Sequence, residues 1–314
     1  MITAEHLVKR FGGHPAVADV SFAVARGEVV GFLGPNGAGK TTTLRLLAGV
    51  FPPDAGHVVI DGCDVVKAPL AARRRLGYTP EQPALHPEMT VGGLLEFVAA
   101  MRDVHGRRAR AHAAAVALDA TGLSSMRHVR IETLSRGYRQ RVGLAVALVG
   151  DPPALLLDEP AAGLDPEQTA EMRRLVRSLG EHHAVLVSSH ALADVEVLCD
   201  RVIILHRGRM LAEGRPAELA ARLRPASRLD VEAMAAPAAL EAILTSVPGV
   251  ERVAITARVN GHSRCRVEAS PGVDLRARVA DRIHAAGWDL LTLAPVEPTL
   301  EEAFLDIVAR EELP

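Results

Sequence analysis

Alternating apolar and polar positions open the chain. Ile2 to Val8 and Ala16 to Val24 carry this pattern and flank Gly12-Gly13, which predicts two short strands with a hairpin-like break between them. The next short apolar strand, Glu28 to Phe32, passes straight into the glycine-rich stretch GPNGAGKTT, and Thr41 to Ala48 reads as a helix beginning there. His57 to Ile60 is a further strand, ended by the turn Asp61-Gly62. From about Leu85 to Val129 alanine, arginine and leucine dominate. Apolar residues there fall at helical spacing (Leu94, Leu95, Val98, then Val116, Leu118), so the stretch is a helical insertion. Apolar strands return at Ala154 to Leu157 and Ala184 to Ser188, with a helix near Pro166 to Leu179 between them. Strands alternating with helices in this way predict a parallel sheet flanked by helices. Val202 to Leu205 and Arg209 to Ala212 close this part as a hairpin around Arg207-Gly208.

Arg224-Pro225-Ala226-Ser227 reads as a linker, and the pattern beyond it changes. It runs strand (Leu229 to Ala233), helix (Ala238 to Val247), strand (Val250 to Val259), strand (Cys265 to Ala269), helix (Leu275 to Ala286), strand (Asp289 to Leu293). That order is βαββαβ, the ferredoxin-like arrangement. A last helix is expected after Thr299, because Thr299 and Glu302 have capping-box spacing.

Composition narrows the function more than the fold. Across 314 residues, 48% are hydrophobic, which supports a sizeable core and argues against disorder. A net charge of -2 and the absence of a basic run speak against a general nucleic-acid surface. No signal peptide and no run of about 18 apolar residues is visible, so the chain is expected to be soluble and to reach a membrane only through a partner. Cys63, Cys199 and Cys265 lie far apart without a CxxC pair; they read as small buried side chains rather than a disulfide framework or zinc site.

The chemistry concentrates in Gly34 to Thr42, GPNGAGKTT. Gly34, Gly37 and Gly39 let backbone amides approach phosphate oxygens, and the helix beginning near Lys40 adds its positive dipole end. Lys40 supplies a cation to the outer phosphates and Thr41 a hydroxyl to Mg²⁺. At ordinary residue usage the pattern GxxxxGK[ST] arises by chance in roughly 1% of chains this long, and the strand before it and helix after it lower that further. A second element is the apolar strand ending in Asp158-Glu159. Carboxylates at the C-terminal end of such a strand sit where ligands bind parallel sheets. Asp158 would hold Mg²⁺ through water, and Glu159 would orient or deprotonate an attacking water. His190, following the strand Ala184 to Ser188, could contact the γ-phosphate, whereas His182 and His183 read as ordinary helix-end residues.

Five motifs now stand in order: GPNGAGKTT, LSRGYRQR (Leu134 to Arg141), LLLDEP (Leu155 to Pro160), AGLD (Ala162 to Asp165) and SSH (Ser188 to His190). Residues 1 to about 220 thereby resemble the nucleotide-binding domain of an ABC transporter. The remainder, ending LEEAFLDIV, resembles the C-terminal extension of bacterial exporter ATPases of the gliding-motility and multidrug or antibiotic-resistance type. The resemblance implies an α/β P-loop NTPase of the ABC ATPase kind over 1–222, with a parallel-core sheet, an antiparallel β subdomain and a helical subdomain at about 85–150. A linker at 223–228 would lead to a small α+β ferredoxin-like accessory domain over 229–314.

It also implies roles. Phe11 would stack on adenine; Gly34, Pro35, Asn36, Gly37, Ala38, Gly39, Lys40, Thr41 and Thr42 would bind the ATP phosphates and Mg²⁺. Ser135 and Gly137, in the signature, would complete the ATP site of a second copy in a head-to-tail dimer, with Asp165 at the same seam. A glutamine is usual in the next loop of the family pattern, and here the loop after Tyr78 reads TPEQ. Glu81 fits the family spacing and Gln82 the chemistry, so either could reach Mg²⁺ and the attacking water. The signature reads LSRGY where LSGGQ is usual, with Arg136 and Tyr138 substituted, and Ala161 stands where threonine is common. The segment from Pro83 to Phe97 would meet the membrane permease, with Leu85, Met89, Leu94 and Phe97 as contacts or, for Leu94 and Phe97, as core of the helical subdomain.

The resulting expectation is an ATP-hydrolysing subunit of an exporter, cytoplasmic and held at the inner face of the membrane by a separately encoded permease. The competing reading is a soluble ABC-type ATPase acting on nucleic acid or ribosomes; the chain lacks the heptads or second glycine-lysine loop usual there. The C-terminal domain reads as dimer support or as a small-molecule sensor, and fold analogy alone does not choose.

Overall fold

The structure, a computed structural model, describes residues 1–189, 191–222, 227–259, 261–270 and 273–296. It divides into two compact units, Met1–Pro216 and Ala217–Pro314.

In the first unit, β1 (Ile2–Phe11) and β2 (His14–Val24) pair antiparallel across Gly12-Gly13. β3 (Val29–Leu33) is buried at every position and leads through the glycine loop into α1 (Lys40–Leu47). β4 (Ala55–Ile60) and the two-residue β5 (Cys63–Asp64) precede α2 (Pro69–Arg74), where Pro69 occupies the first turn and forfeits no helical hydrogen bond. β6 (Leu76–Thr79) follows.

The helical region comes next. α3 (Val91–Met101) is capped by Thr90, whose hydroxyl accepts the Gly93 N–H at 3.1 Å. α4 (Arg107–Ala120) is arginine- and alanine-rich, with Ala114, Ala117 and Leu118 on its buried side. Two 3₁₀ turns, Ser124–Met126 and Ile131–Thr133, lead to α5 (Arg136–Leu148), capped by Ser135. Of the residues assigned to a permease contact, Leu94 is core (3% exposed), whereas Phe97 is 48% exposed and meets the His86 ring edge-on.

β7 (Ala154–Asp158), α6 (Pro166–Gly180) and β8 (Ala184–Ser189) follow, then α7 (Leu192–Leu198) and the hairpin β9 (Arg201–His206) and β10 (Arg209–Gly214); α8 (Pro216–Arg222) comes next and, after Pro216, belongs to the second unit. Two sheets result. One is antiparallel in the order β2-β1-β4-β5; the other runs β10-β9-β3-β8-β7-β6, parallel except for the edge strand β10. A core that includes Phe22, Val58, Ile60, Phe32, Leu156, Leu186 and Ile203 lies between the sheets together with Leu44, Leu46 and Leu47 of α1. Phe22 and Phe32 meet edge to face at 5.1 Å across it. β3, β7 and β8 are buried along their whole length, as strands of a parallel sheet covered on both faces must be.

The second unit contains β11 (Ser227–Ala233), α9 (Pro237–Thr245), β12 (Val250–Val259), β13 (His262–Ala269), α10 (Arg276–Ala285) and β14 (Leu290–Val296). Its sheet is antiparallel in the order β12-β13-β11-β14, the ferredoxin-like order for βαββαβ. Leu240 and Leu244 of α9 and Val279 and Ile283 of α10 cover Leu229, Val231, Cys265 and Val267 on one sheet face. The opposite side chains form ion pairs across strands, Arg264 with Glu232 at 2.7 Å and Arg266 with Asp230 at 2.9 Å. Three expectations lie outside the described residues: most of the linker at 223–228, the helix after Thr299, and His190. No helix among the described residues is long and apolar enough to cross a membrane.

Candidate active site

Three parallel strands end side by side and set the site. β3 delivers the glycine loop, β7 delivers Asp158 and Glu159, and β8 delivers Ser188, which is the register partner of Asp158. The loop folds tightly: the Ala38 amide donates to the Pro35 carbonyl at 3.1 Å, and Thr43 donates both its amide and its hydroxyl to the Gly39 carbonyl. The β9–β10 turn braces the loop from outside, because the Gly208 amide donates to the Ala38 carbonyl at 2.9 Å. Sequence reasoning found that hairpin and missed its role, which has no local signal.

Lys40 is 93% buried by its 7% exposure, and its Nζ donates back to the carbonyls of Gly34 (2.6 Å) and Pro35 (3.3 Å). Burial pushes its ammonium below the ordinary lysine pKa, partly opposed by the Glu159 and Asp158 carboxylates. The Thr41 hydroxyl donates to Asp158 Oδ1 at 3.2 Å, and the Ser188 hydroxyl donates to the same oxygen at 2.7 Å. Asp158 is 2% exposed. Glu159 follows with a left-handed backbone, φ 50°, and its amide donates to Ser188 Oγ at 3.0 Å. Lys40, Thr41, Asp158 and Glu159 thus form one cluster. Nearby, burial and the Asp158 charge raise the Tyr78 phenol.

Ser135, Gly137 and Asp165 form a second constellation. Ser135 caps α5 by accepting the Tyr138 N–H, and Asp165 caps α6 by accepting the Gln168 N–H at 2.8 Å. The two helix starts interlock: the Gln168 side chain lies against Gly137, and the Arg136 guanidinium lies against Gly163. Ser135, Gly137, Tyr138, Arg141, Gln168 and Glu171 border a polar cavity of about 330 Å³. No hydrogen bond among the described residues joins this constellation to Lys40 or Asp158. Glu81 and Gln82 are exposed and border a groove with Arg136, Arg139 and Gln140, and Gln140 Nε2 holds the Glu81 carbonyl at 2.9 Å. Phe11 is half-exposed at the end of β1, its ring edge-on to Phe51 at 5.6 Å.

Relatives align along nearly the whole chain. The linearmycin resistance ATP-binding protein LnrL of Bacillus subtilis is 31% identical over 311 residues, 99% of both chains. The daunorubicin resistance ATP-binding protein DrrA3 of Streptomyces coeruleorubidus is 36% identical, covering 98% of this chain and 95% of its own. The family model described as ABC transporter matches residues 17–162. The chain belongs to the ATP-binding subunits of ABC transporters.

As a member of that family it is a P-loop ATPase that binds and hydrolyses ATP. Among solved structures, one titled as the ATP-binding subunit of an ABC transporter superposes with TM-score 0.63 at 30% identity, over 71% of this chain and 92% of that one. A second, titled a dimeric post-hydrolysis ATP-binding cassette bound to ADP and Pi, gives TM-score 0.62 at 26% identity, over 68% and 98%. Both spans are close to the length of the first compact unit, so the ABC ATPase fold is the part these structures share with the chain.

The oxygen donors present suit Mg²⁺. Asp158 and the Thr41 hydroxyl stand 3.2 Å apart, and Mg²⁺ in nucleotide sites takes one or two protein oxygens, with phosphate and water supplying the rest.

Proposed function

We propose that the chain is the motor of an export-type transporter, closing head-to-tail on a second copy beneath a separately encoded membrane permease. The observation that carries this reading is the division of the site into two constellations on one chain. Lys40, Thr41, Asp158 and Glu159 can hold and attack a nucleotide, while Ser135 and Gly137 sit at the start of α5, facing a polar cavity. A helix N-terminus bearing a serine hydroxyl suits a phosphate that another copy presents. The dimeric solved relative bound to ADP and Pi, and the two resistance ATP-binding proteins that match along nearly the whole chain, support the same reading.

In this proposal Lys40 exchanges its contacts with the Gly34 and Pro35 carbonyls for phosphate oxygens. Mg²⁺, held through Thr41 and Asp158 and assisted by Glu81 or Gln82, would neutralise charge on the phosphates. Glu159 takes a proton from the attacking water, His190 contacts the γ-phosphate, and Phe11 packs on the adenine. Pro35, Asn36, Ala38 and Thr42 complete the phosphate cradle together with the loop glycines. Asp165 lies at the seam. The exposed Phe97, with Leu85 and Met89, is the apolar contact offered to the permease. The ATPase domain spans 1–222, and the ferredoxin-like domain at 229–314 supports the dimer.

The test replaces Glu159 by Gln in the full chain. ATP binding persists, hydrolysis stops, and size-exclusion chromatography with ATP shows a dimer. Hydrolysis at the original rate would remove Glu159 as the base, and a monomer at saturating ATP would remove the head-to-tail pair.

A further inference from the structure

We infer that Ser188 is a positioning residue for hydrolysis: one fully buried hydroxyl fixes both the Asp158 carboxylate and the Glu159 backbone. The inference rests on the roles proposed above for those two carboxylates.

Parallel pairing of β7 with β8 puts Ser188 directly beside Asp158. The hydroxyl is 0% exposed and has two partners at good distance. It donates its only proton to Asp158 Oδ1 at 2.7 Å and accepts the Glu159 N–H at 3.0 Å. Each partner needs it for a different reason.

Asp158 Oδ1 accepts from two hydroxyls, Ser188 at 2.7 Å and Thr41 at 3.2 Å. Thr41 is also the residue proposed to face Mg²⁺. When its hydroxyl turns away to do so, Ser188 is the hydroxyl that still orients the carboxylate. A donor behind a carboxylate ligand of this kind fixes which oxygen points into the site.

Glu159 is held at φ 50°, where a non-glycine residue is strained. Its amide reaches two Ser188 acceptors, Oγ at 3.0 Å and the main-chain carbonyl at 3.3 Å. The left-handed turn is therefore pinned to β8 at the point where the chain must aim the Glu159 carboxylate. Removing the hydroxyl takes away the shorter of these two amide contacts. A shift of under an ångström in a general base is enough to slow proton transfer strongly.

Neither effect requires contact between Ser188 and nucleotide. The expected signature is a loss in turnover and in metal response with nucleotide binding spared. A purely structural serine would move melting temperature and binding together.

The experiment compares full-length Ser188→Ala, Ser188→Thr and Glu159→Gln with the parent chain. The readouts are steady-state hydrolysis, Mg²⁺ titration, binding of a fluorescent ATP analogue and thermal melting. Ser188→Ala should lower kcat roughly 10- to 100-fold and raise the half-activating Mg²⁺ concentration at least about threefold, with nucleotide affinity changed by no more than about threefold. Ser188→Thr, which keeps the hydroxyl, should recover most of kcat. Parental kcat and Mg²⁺ response in Ser188→Ala would overturn the inference. So would parallel loss of binding and folding with no recovery by threonine. If Glu159→Gln still hydrolyses ATP, the underlying assignment of the base has failed; if it is inactive while Ser188→Ala is not, only the role of Ser188 has failed.

Discussion

The three glycines of the phosphate loop are interchangeable in a motif and different in the structure, and alanine substitution should separate them. A Cβ at Gly34 would lie 2.3 Å from the Leu205 carbonyl oxygen and 2.9 Å from the Ala38 Cβ. The first of these is main chain of β9, which cannot swing aside. Overpacking of this sort costs about 1–3 kcal/mol. Gly39 has the same problem and a second one. Its Cβ would lie 2.6 Å from the Ala16 carbonyl oxygen, and its φ of 104° lies where an L-residue is strained by a further ~1–2 kcal/mol. Gly37 has φ 81° but no atom within 4 Å of its Cβ position, so alanine there carries the backbone strain alone. With about 2–4 °C of melting temperature per kcal/mol for a unit of this size, and the middle of each energy range, Gly37→Ala should fall by about 3–6 °C and Gly34→Ala by about 4–8 °C. Gly39→Ala should lose about 7–14 °C. Differential scanning fluorimetry without nucleotide measures this order directly. Binding of a fluorescent ATP analogue should weaken most for Gly39→Ala, because the displaced loop precedes Lys40. Gly37→Ala melting below Gly34→Ala, or all three within about 1 °C of the parent, would refute the reading that β9 and the Ala16 carbonyl set the loop.

Three further outcomes follow from burial. Burial pushes the Cys199 and Cys265 thiols up to about 12, whereas Cys63 is only partly buried, so a thiol reagent at pH 8 should modify Cys63 in the native chain and all three after denaturation. A raised thiol pKa contributes stability that is intact below the unfolded value of about 8.5 and is lost as pH climbs towards 12, so melting temperature should decline across that window and decline less in Cys199→Ala. The second unit has its own core around Val231, Leu240, Val267 and Ile283, so residues 217–314 expressed alone should unfold in a single cooperative transition by circular dichroism; a flat melt would show that this core needs the first unit.

What could be read from the sequence follows from which side chains are buried on both faces. β3 and the runs Ala154 to Leu157 of β7 and Ala184 to Val187 of β8 carry no polar side chain because the antiparallel sheet with α1 covers one side and helices the other, so each appears as an unbroken run, and the chemistry at their ends could be placed from the run alone. β6 belongs to the same sheet and was not foreseen. It reads LGYT, and its glycine is there because a Cβ at Gly77 would come 2.4 Å from the Ala147 carbonyl of α5. Helix packing has replaced the apolar signal with a breaker. α7 was hidden for a related reason: it is seven residues long, too short for a period to emerge, and only Val195 and Leu198 are buried. The candidate site divides along the same line. Lys40, Thr41, Asp158 and Glu159 occupy motif positions whose spacing is local. The pairing of Ser188 with Asp158, and the contact of Arg136 with Gly163, join residues 30 and 27 positions apart and exist only once the strand register and the helix starts are fixed. In AVLVSS, Ser188 looks like any residue near a strand end, and its hydroxyl acquires a task from its neighbour on β7. A motif can therefore name the carboxylates that do chemistry here, while the group that aims them is a property of the sheet.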